Sequence, residues 1–411
     1  MSDPEDKLLS VAEAAEFLGV KTATLYAYAS RGQLESLSSG ADGRERAYRM
    51  SELLRLRNSA RGVKNSKDSE PPGWTGPLIK SSITEICDDR HKYRGQDVLK
   101  LARSVKPFEI VAELLWDTDE SSLMEWSRAK PFAAGKQIKK IAVPESDFLD
   151  LLKLLLVSIE MSEPLSHKLL SGDVYSDARR LISSMAICAG VTHQRDATVS
   201  SGVLPLAQTL LFALSGTKSS EKSELINSAL VLCADHELNA SALAARVAAS
   251  CDATLFSAVL SALATFSGTM HGAASRRAED LVANSLRFPS AGAWLKDYMR
   301  HSDNIPGFGS DIYSAGDPRA QFLIDAASKL NSKSKPLGRL IEICDCVEQQ
   351  LGTLPNLDVG LAAISYALSL PPGSGTTIFA VSRTAGWIAH AIEQRSYGTA
   401  IRPRAKYIGK A

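Results

Sequence analysis

The sequence predicts a nearly all-α chain in which a small helix-turn-helix unit precedes a large helical body. Three observations carry that expectation. Apolar residues from about residue 76 onward recur at helical spacing in a composition rich in Ala, Leu and Ser. Alternating runs of the kind that make strands are scarce. Near the start, Val11, Ala14, Ala15 and Leu18 fall on one helical face, Gly19-Val20 interrupts it, and Thr22 opens a second run with Leu25, Tyr28 and Ala29 that stops at Gly32.

Behind that first unit, Gly43-Arg44-Glu45-Arg46-Ala47-Tyr48-Arg49 reads as a basic wing, and Ser51 to Leu56 as a short helix. The arrangement resembles the winged helix-turn-helix of excisionase-like and MerR-like proteins. Residues 21–64 hold nine Lys/Arg against four Asp/Glu in a chain whose net charge is +1. That local excess can neutralise DNA phosphates, and the resemblance implies DNA contacts through Arg31, Arg44, Arg46 and Arg49. The other reading of the unit is a small module used for packing or dimerisation. Residues 1–60 are therefore expected to form one domain, 61–75 a linker containing Pro71-Pro72-Gly73, and 76–411 the body.

In the body, helices are expected near 95–104, 107–116, 145–160, 174–188, 203–214, 221–235, 240–250, 253–266, 276–286, 318–331, 336–350, 359–370 and 379–395. Asp317-Pro318 supplies an N-cap followed by proline at the first helical position. Asp358, just ahead of an apolar run, also suits a cap. The glycines of Pro371-Pro372-Gly373-Ser374-Gly375 lack the Lys-Ser/Thr of a phosphate loop and read as a connection between helices. The six cysteines are scattered, mostly in apolar stretches, and are expected to be reduced and buried. The start of the chain lacks a basic flank and apolar core, and no apolar run reaches roughly 20 residues, so a soluble cytoplasmic protein is expected, with no membrane partner.

The chemistry lies in Ala234-Asp235-His236-Glu237-Leu238-Asn239-Ala240-Ser241, in Ser267-Gly268-Thr269-Met270-His271-Gly272, and in Leu354-Pro355-Asn356-Leu357-Asp358. With Arg319, Arg383 and Arg402 in the same order along the chain, these segments resemble the citrate synthase family. The resemblance implies a large helical domain and a smaller one of about residues 272–370, closing over a cleft. It implies condensation of acetyl-CoA with oxaloacetate to citrate and CoA, with acetyl-CoA as co-substrate and no cofactor held permanently. Asp358 would be the base that takes a methyl proton, and His271 the donor to the thioester oxygen. His236, Arg319 and Arg383 would bind oxaloacetate, and Arg402 would reach into a partner subunit's site, which implies a homodimer or a heteromer with another citrate synthase. Tyr93-Arg94-Gly95 resembles an early family signature whose arginine meets coenzyme phosphates in some members.

Three positions depart from the family pattern. Ala273 and Ser275 stand where a glycine and an asparagine are usual, which alters the coenzyme contacts expected there. Gly307-Phe308-Gly309-Ser310 has serine where Gly-x-Gly-His places the histidine that donates to the oxaloacetate ketone. Serine is a poor general acid, and losing a positioned acid costs roughly 10²- to 10⁴-fold. Asp311, or a water held by Ser310, is the substitute this stretch offers. Beside the enzyme reading therefore stands a catalytically impaired paralogue, acting as a DNA-binding regulator or as a subunit of a heteromeric citrate synthase.

Overall fold

The computed structural model describes residues 8–18, 20–30, 34, 36–39, 45–50 and 53, and residues 79–411 apart from 88, 119–122, 144–145, 163–168, 170–173, 194, 196–204, 303, 404, 406, 408 and 410–411. The chain divides into two compact units, Met1–Leu78 and Ile79–Ala411. Arg31, Arg44 and the linker 61–75 lie outside the described residues.

In the first unit, β1 (Leu8–Ser10) leads into α1 (Val11–Leu18), then α2 (Thr22–Ser30), β2 (Leu37–Ser39) and β3 (Glu45–Arg49). The sheet is antiparallel in the order β1-β3-β2, so the basic wing pairs with the strand that enters the first helix. Ser10 and Glu13 form a reciprocal capping box: the Ser10 backbone N–H donates to Glu13 Oε2 at 2.9 Å, and the Glu13 N–H donates to Ser10 Oγ at 3.4 Å. Leu9, Ala14, Ala15, Leu25, Leu34, Tyr48 and Leu53 make the core, while Arg46 and Arg49 are exposed on β3.

The second unit opens on a small antiparallel sheet, β4 (Thr84–Cys87), β5 (Arg90–Tyr93) and β6 (Gln96–Asp97). Helices follow: α3 (Val98–Arg103), α4 (Phe108–Trp116), α5 (Leu123–Arg128), α6 (Ala134–Ile141), α7 (Phe148–Ser162), α8 (Val174–Cys188), α9 (Leu206–Ser215), α10 (Ser220–Cys233), α11 (Ala240–Ser250), α12 (Leu255–Phe266), α13 (Ala274–Ser285), α14 (Ala291–Tyr298), α15 (Pro318–Leu330), α16 (Lys335–Leu351), α17 (Leu357–Leu368) and α18 (Ser374–Ser396). The helices expected in the body are found, several with ends shifted by a few residues, whereas α5, α6, α14 and the small sheet are additions; the short helix expected over Ser51 to Leu56 lies, but for Leu53, outside the described residues. Among the described residues no helix is long and apolar enough to cross a membrane. The six cysteines form no disulfide, but Cys87 and Cys251 are exposed rather than buried.

The axis of this unit is α18, which is buried along most of its length against α10, α11, α12 and α17. Its small residues permit that crowding. A Cβ at Gly386 would collide with Asp235 Oδ1 and the Ala234 carbonyl, and the Gly386 N–H instead donates to that carbonyl at 3.1 Å. This close approach sets Arg383, one turn earlier on α18, beside the end of α10. Helices α13 to α17 pack largely on one another, with α17 also against α18. The loop 307–309 docks on 354–356: Gly309 N–H donates to the Leu354 carbonyl and Asn356 N–H to the Gly307 carbonyl, both at 2.8 Å. Gly307, at φ +85°, is needed there, because a Cβ would lie 2.7 Å from Val359 Cγ2.

Candidate active site

The turn between α10 and α11 is built on the buried carboxylate of Asp235. It accepts from Thr84 Oγ1 at 2.6 Å and from His390 Nε2 at 3.3 Å, the latter contact assuming the tautomer with Nε2–H. Burial opposes its charge, but His390, Arg383 and Thr84 prevail and hold its pKa down at about 2. Asp235 thereby fixes the next residue, His236, whose Nε2 lies 2.9 Å from Tyr313 Oη. Burial, then the charge of Arg319 and the ring of His91, press the His236 pKa far below the usual imidazole value. The residue is a neutral hydrogen-bonding ring.

Asn239 caps α11. Its Oδ1 accepts from the Ser241 and Ala242 backbone N–H groups, both at 3.1 Å, and its Nδ2 donates to the His236 carbonyl at 3.3 Å. Ser241 Oγ then meets three partners: Trp387 Nε1–H donates to it at 3.0 Å, Asn239 Oδ1 lies at 2.7 Å, and His271 Nε2 at 2.8 Å. The hydroxyl has one proton to give, and Asn239 Oδ1 already has two donors. In the Nδ1–H tautomer of His271 the hydroxyl donates to Nε2 and Nδ1–H is the ring's free donor, whereas in the Nε2–H tautomer the hydroxyl donates to Asn239 Oδ1. Burial and the Arg383 charge bring the His271 pKa down to about 4, so the ring is neutral at physiological pH. A Cβ at Gly272 would run into the Phe266 ring, which packs edge-on against His271 at 5.3 Å.

One turn beyond His271, Ser275 Oγ donates to Asp358 Oδ1. Asp358 is not the cap of α17 that its position suggested. Asn356 is the cap, accepting the Asp358 N–H at 3.0 Å, and Asp358 lies within the first turn. Burial raises its pKa to about 6 against the opposing pull of Ser275 and Arg319. It is still a carboxylate at neutral pH, but a more basic one than usual.

Two arginines complete the site. Arg383 is buried, with its Nε donating to the Cys233 carbonyl at 2.7 Å and its guanidinium over the Phe379 ring at 4.7 Å. Its two Nη groups are the end left for a carboxylate. Arg319 differs from the free fork its sequence suggested. Asp317 not only caps α15 but takes the Arg319 Nε and Nη2 at 2.9 and 2.7 Å, so Nη1 alone is left without a partner. The Arg319 charge acts on both Asp358 and His236, and that of Arg383 on His236 and His271, so these groups share one electrostatic neighbourhood.

Other expected residues are placed elsewhere. Ser310 is exposed, and its Oγ accepts from the Ile312 and Tyr313 backbone N–H groups at 3.2 and 3.1 Å, so it caps a turn. Asp311 is exposed beside it. Arg94 spends its guanidinium on the Leu115 carbonyl, at 3.1 and 3.0 Å, and on Ser82 Oγ, at 3.1 Å, instead of presenting it to a coenzyme. Arg402 is exposed in the segment after α18. Missed in the sequence were Ser241, which orients His271, Tyr313 and His91. Only Ser241 carried a signal, through its place in the Ala-Asp-His-Glu segment.

Fold and site define a helical protein with a desolvated acid-base centre next to an arginine pair suited to an anionic ligand. The citrate synthase C-terminal domain profile matches residues 74–404, and a helix-turn-helix domain profile matches residues 8–61. Citrate synthase 2 of Bacillus subtilis strain 168 is 30% identical over 351 residues, covering 80% of this chain and 93% of that protein. The citrate/2-methylcitrate synthase of the same organism is 30% identical over 371 residues, covering 84% and 97%. The solved ternary complex of carboxymethyl coenzyme A and oxaloacetate with citrate synthase from Thermoplasma acidophilum superposes with a TM-score of 0.72 at 25% identity, covering 82% of this chain and 95% of that one. The chain belongs to the citrate synthase family and carries a helix-turn-helix domain at its N-terminus.

Proposed function

We propose that the chain condenses acetyl-CoA with oxaloacetate and water to give citrate and CoA. Asp358 takes a proton from the acetyl methyl group, and His271, through Nδ1–H, hydrogen-bonds the thioester oxygen on which charge develops. A neutral donor and a carboxylate of raised basicity bring the two proton affinities closer together, which is what removing a proton from a weak carbon acid needs. His236, Arg319 and Arg383 hold oxaloacetate with its ketone toward the nascent carbanion. Closure of the 272–370 segment over the cleft would keep water from the enolate until the new carbon–carbon bond has formed. Arg402 would complete the site of a second subunit.

The observation that carries this reading is the hydrogen-bonded run His236–Asn239–Ser241–His271, with Ser275, one turn beyond His271, donating separately to Asp358. The test is thiol release from acetyl-CoA, dependent on oxaloacetate, by the purified full-length protein, with propionyl-CoA run beside it. Absence of oxaloacetate-dependent release by both wild type and Ser310→His would overturn the condensation reading.

One observation favours a second reading. Ser310 is exposed, its Oγ accepts two N–H groups of a turn, and a serine hydroxyl is a poor acid, so position 310 supplies no general acid for the ketone. A regulator that binds oxaloacetate without turnover, or a subunit that needs a fuller partner, would keep the rest of the site. The basic wing would then contact DNA, with affinity falling steeply as salt rises. Oxaloacetate-dependent thermal stabilisation without turnover, together with salt-sensitive binding to DNA from its own gene's upstream region, would support it. Full turnover by the isolated protein would refute it.

A further inference from the structure

We propose that His91 supplies the histidine contact that position 310 no longer makes, one of its ring nitrogens pairing with an oxygen of the bound 2-oxo dicarboxylate. The inference rests on the reading of the site as one for oxaloacetate, and it adds a residue that no motif assigns.

Strand β5 alternates, and its inward residues are His91 and Tyr93, which are 4% and 0% exposed. Both ring nitrogens of His91 are shielded from solvent and have no protein partner. Folded chains leave few buried polar atoms unpaired, and an apolar side chain of similar size would fit the same position without that cost. The unpaired nitrogens are also not isolated. The His91 ring lies edge-on to His236 at 5.3 Å, and Arg319, whose Nη1 is likewise buried and unpaired, exerts the strongest charge effect on it. Unsatisfied nitrogen groups gathered around the ring of His236 call for a ligand rich in oxygen acceptors, as a keto dicarboxylate is.

The hairpin also brings His91 to the side of the site that lost its histidine. Asp89, at the tip between β4 and β5, accepts from Ser314 N–H and Ser314 Oγ, both at 2.7 Å, and from Ala315 N–H at 3.3 Å. The loop that follows Ser310 is therefore clasped to the hairpin, and its Tyr313 completes a row of rings, Tyr313–His236–His91, at 5.7 and 5.3 Å. The charged and titratable groups around His91 are Arg319, Asp235, Arg383, Tyr93 and His236. Burial and the arginine charges keep the ring neutral, and a dianion on those arginines would offset their field and raise the ring's proton affinity.

The test compares wild type, His91→Leu, His91→Gln, Ser310→His and the double variant His91→Leu/Ser310→His. The readouts are thiol release, KM for oxaloacetate, and the rise in melting temperature that oxaloacetate alone produces. His91→Leu should lower kcat/KM for oxaloacetate roughly 10- to 100-fold, or abolish the oxaloacetate-induced rise if wild type binds without turnover. Its own melting temperature should stay level or climb, because two unpaired nitrogens are gone. His91→Gln should recover part of the loss, and Ser310→His should restore function in the His91→Leu background. If His91→Leu fails to fold, His91→Gln against wild type gives the same comparison. His91→Leu with kcat/KM and oxaloacetate-induced stabilisation within twofold of wild type overturns the role of His91 and leaves the functional reading standing. No thiol release and no stabilisation by oxaloacetate, in wild type and Ser310→His alike, overturns both.

Discussion

Replacing Asp358 by Asn should make the protein more stable while removing its proposed chemistry. Burial holds the carboxyl pKa at about 6 against an ordinary 3.8. At roughly 1.4 kcal/mol per tenfold in proton affinity, that gap corresponds to about 3 kcal/mol at most. The sign follows from linkage. A pKa raised on folding means that the native state favours the protonated form, so the cost is absent below about pH 4, grows as pH rises, and is fully present above about pH 6. Asparagine keeps an oxygen for Ser275 Oγ and carries no charge to desolvate. For a unit spanning Ile79–Ala411, at roughly 2.1 cal/mol/K per residue, 3 kcal/mol is worth about 4 °C in melting temperature. The assay is paired melting of wild type and Asp358→Asn from pH 4.5 to 8, with thiol release measured on the same samples. The variant's advantage should widen between pH 4.5 and 6.5 and then level off, and its kcat should fall by at least about 10²-fold. A variant no more stable than wild type at pH 7.5, or an advantage that does not change with pH, would refute the account of Asp358 as a desolvated base.

Ser310→His should raise kcat, by up to about 10²-fold, after allowing for the turn cap it removes; thiol release at saturating oxaloacetate reads this. Arg383→Lys keeps the charge but loses the planar guanidinium held between Cys233 and Phe379, so KM for oxaloacetate should rise roughly 10- to 100-fold. Gly272→Ala drives a methyl into the Phe266 ring and should cost about 1–3 kcal/mol, seen as a lower melting temperature together with weakened activity as His271 is displaced.

What could be read from the sequence depended on whether a residue's partner was local. Asp317-Pro318 announced the start of α15 because a cap and its helix are neighbours in the chain. The run Val174–Cys188 was found in full because its apolar residues repeat at helical spacing. Short elements gave less. Helix α5 has six residues, α6 has Gly135 and three lysines, and the strands of the β4–β5 hairpin have four residues each, too few for an alternation to stand out. Asn356 and Asp358 are both good caps, and only the backbone distinguishes them. The second role of Asp317 as the fork partner of Arg319 is equally local, but one carboxylate doing both jobs leaves no separate mark in the sequence. His91 was missed because its importance comes entirely from distant neighbours, His236 and Arg319.

The serine at 310 invites the conclusion that the site has decayed, but the costs retained around it argue otherwise. Arg383 remains buried at 2% exposure with a cation whose charge burial disfavours, His91 keeps two nitrogens unpaired, and Asp358 stays ionisable inside a desolvated first turn. Each feature is destabilising for a chain that binds nothing, and most apolar replacements would relieve it. Drift toward a purely structural role would be expected to remove such groups first, because their loss stabilises the fold. Their joint presence fits an anionic ligand whose binding would offset them, and that fit is common to an enzyme and to a ligand-sensing regulator. The two differ at a single step, whether the ketone oxygen finds a donor as it becomes an alkoxide, so activity turns on the neighbourhood of residues 91, 236 and 310 and not on the integrity of the fold.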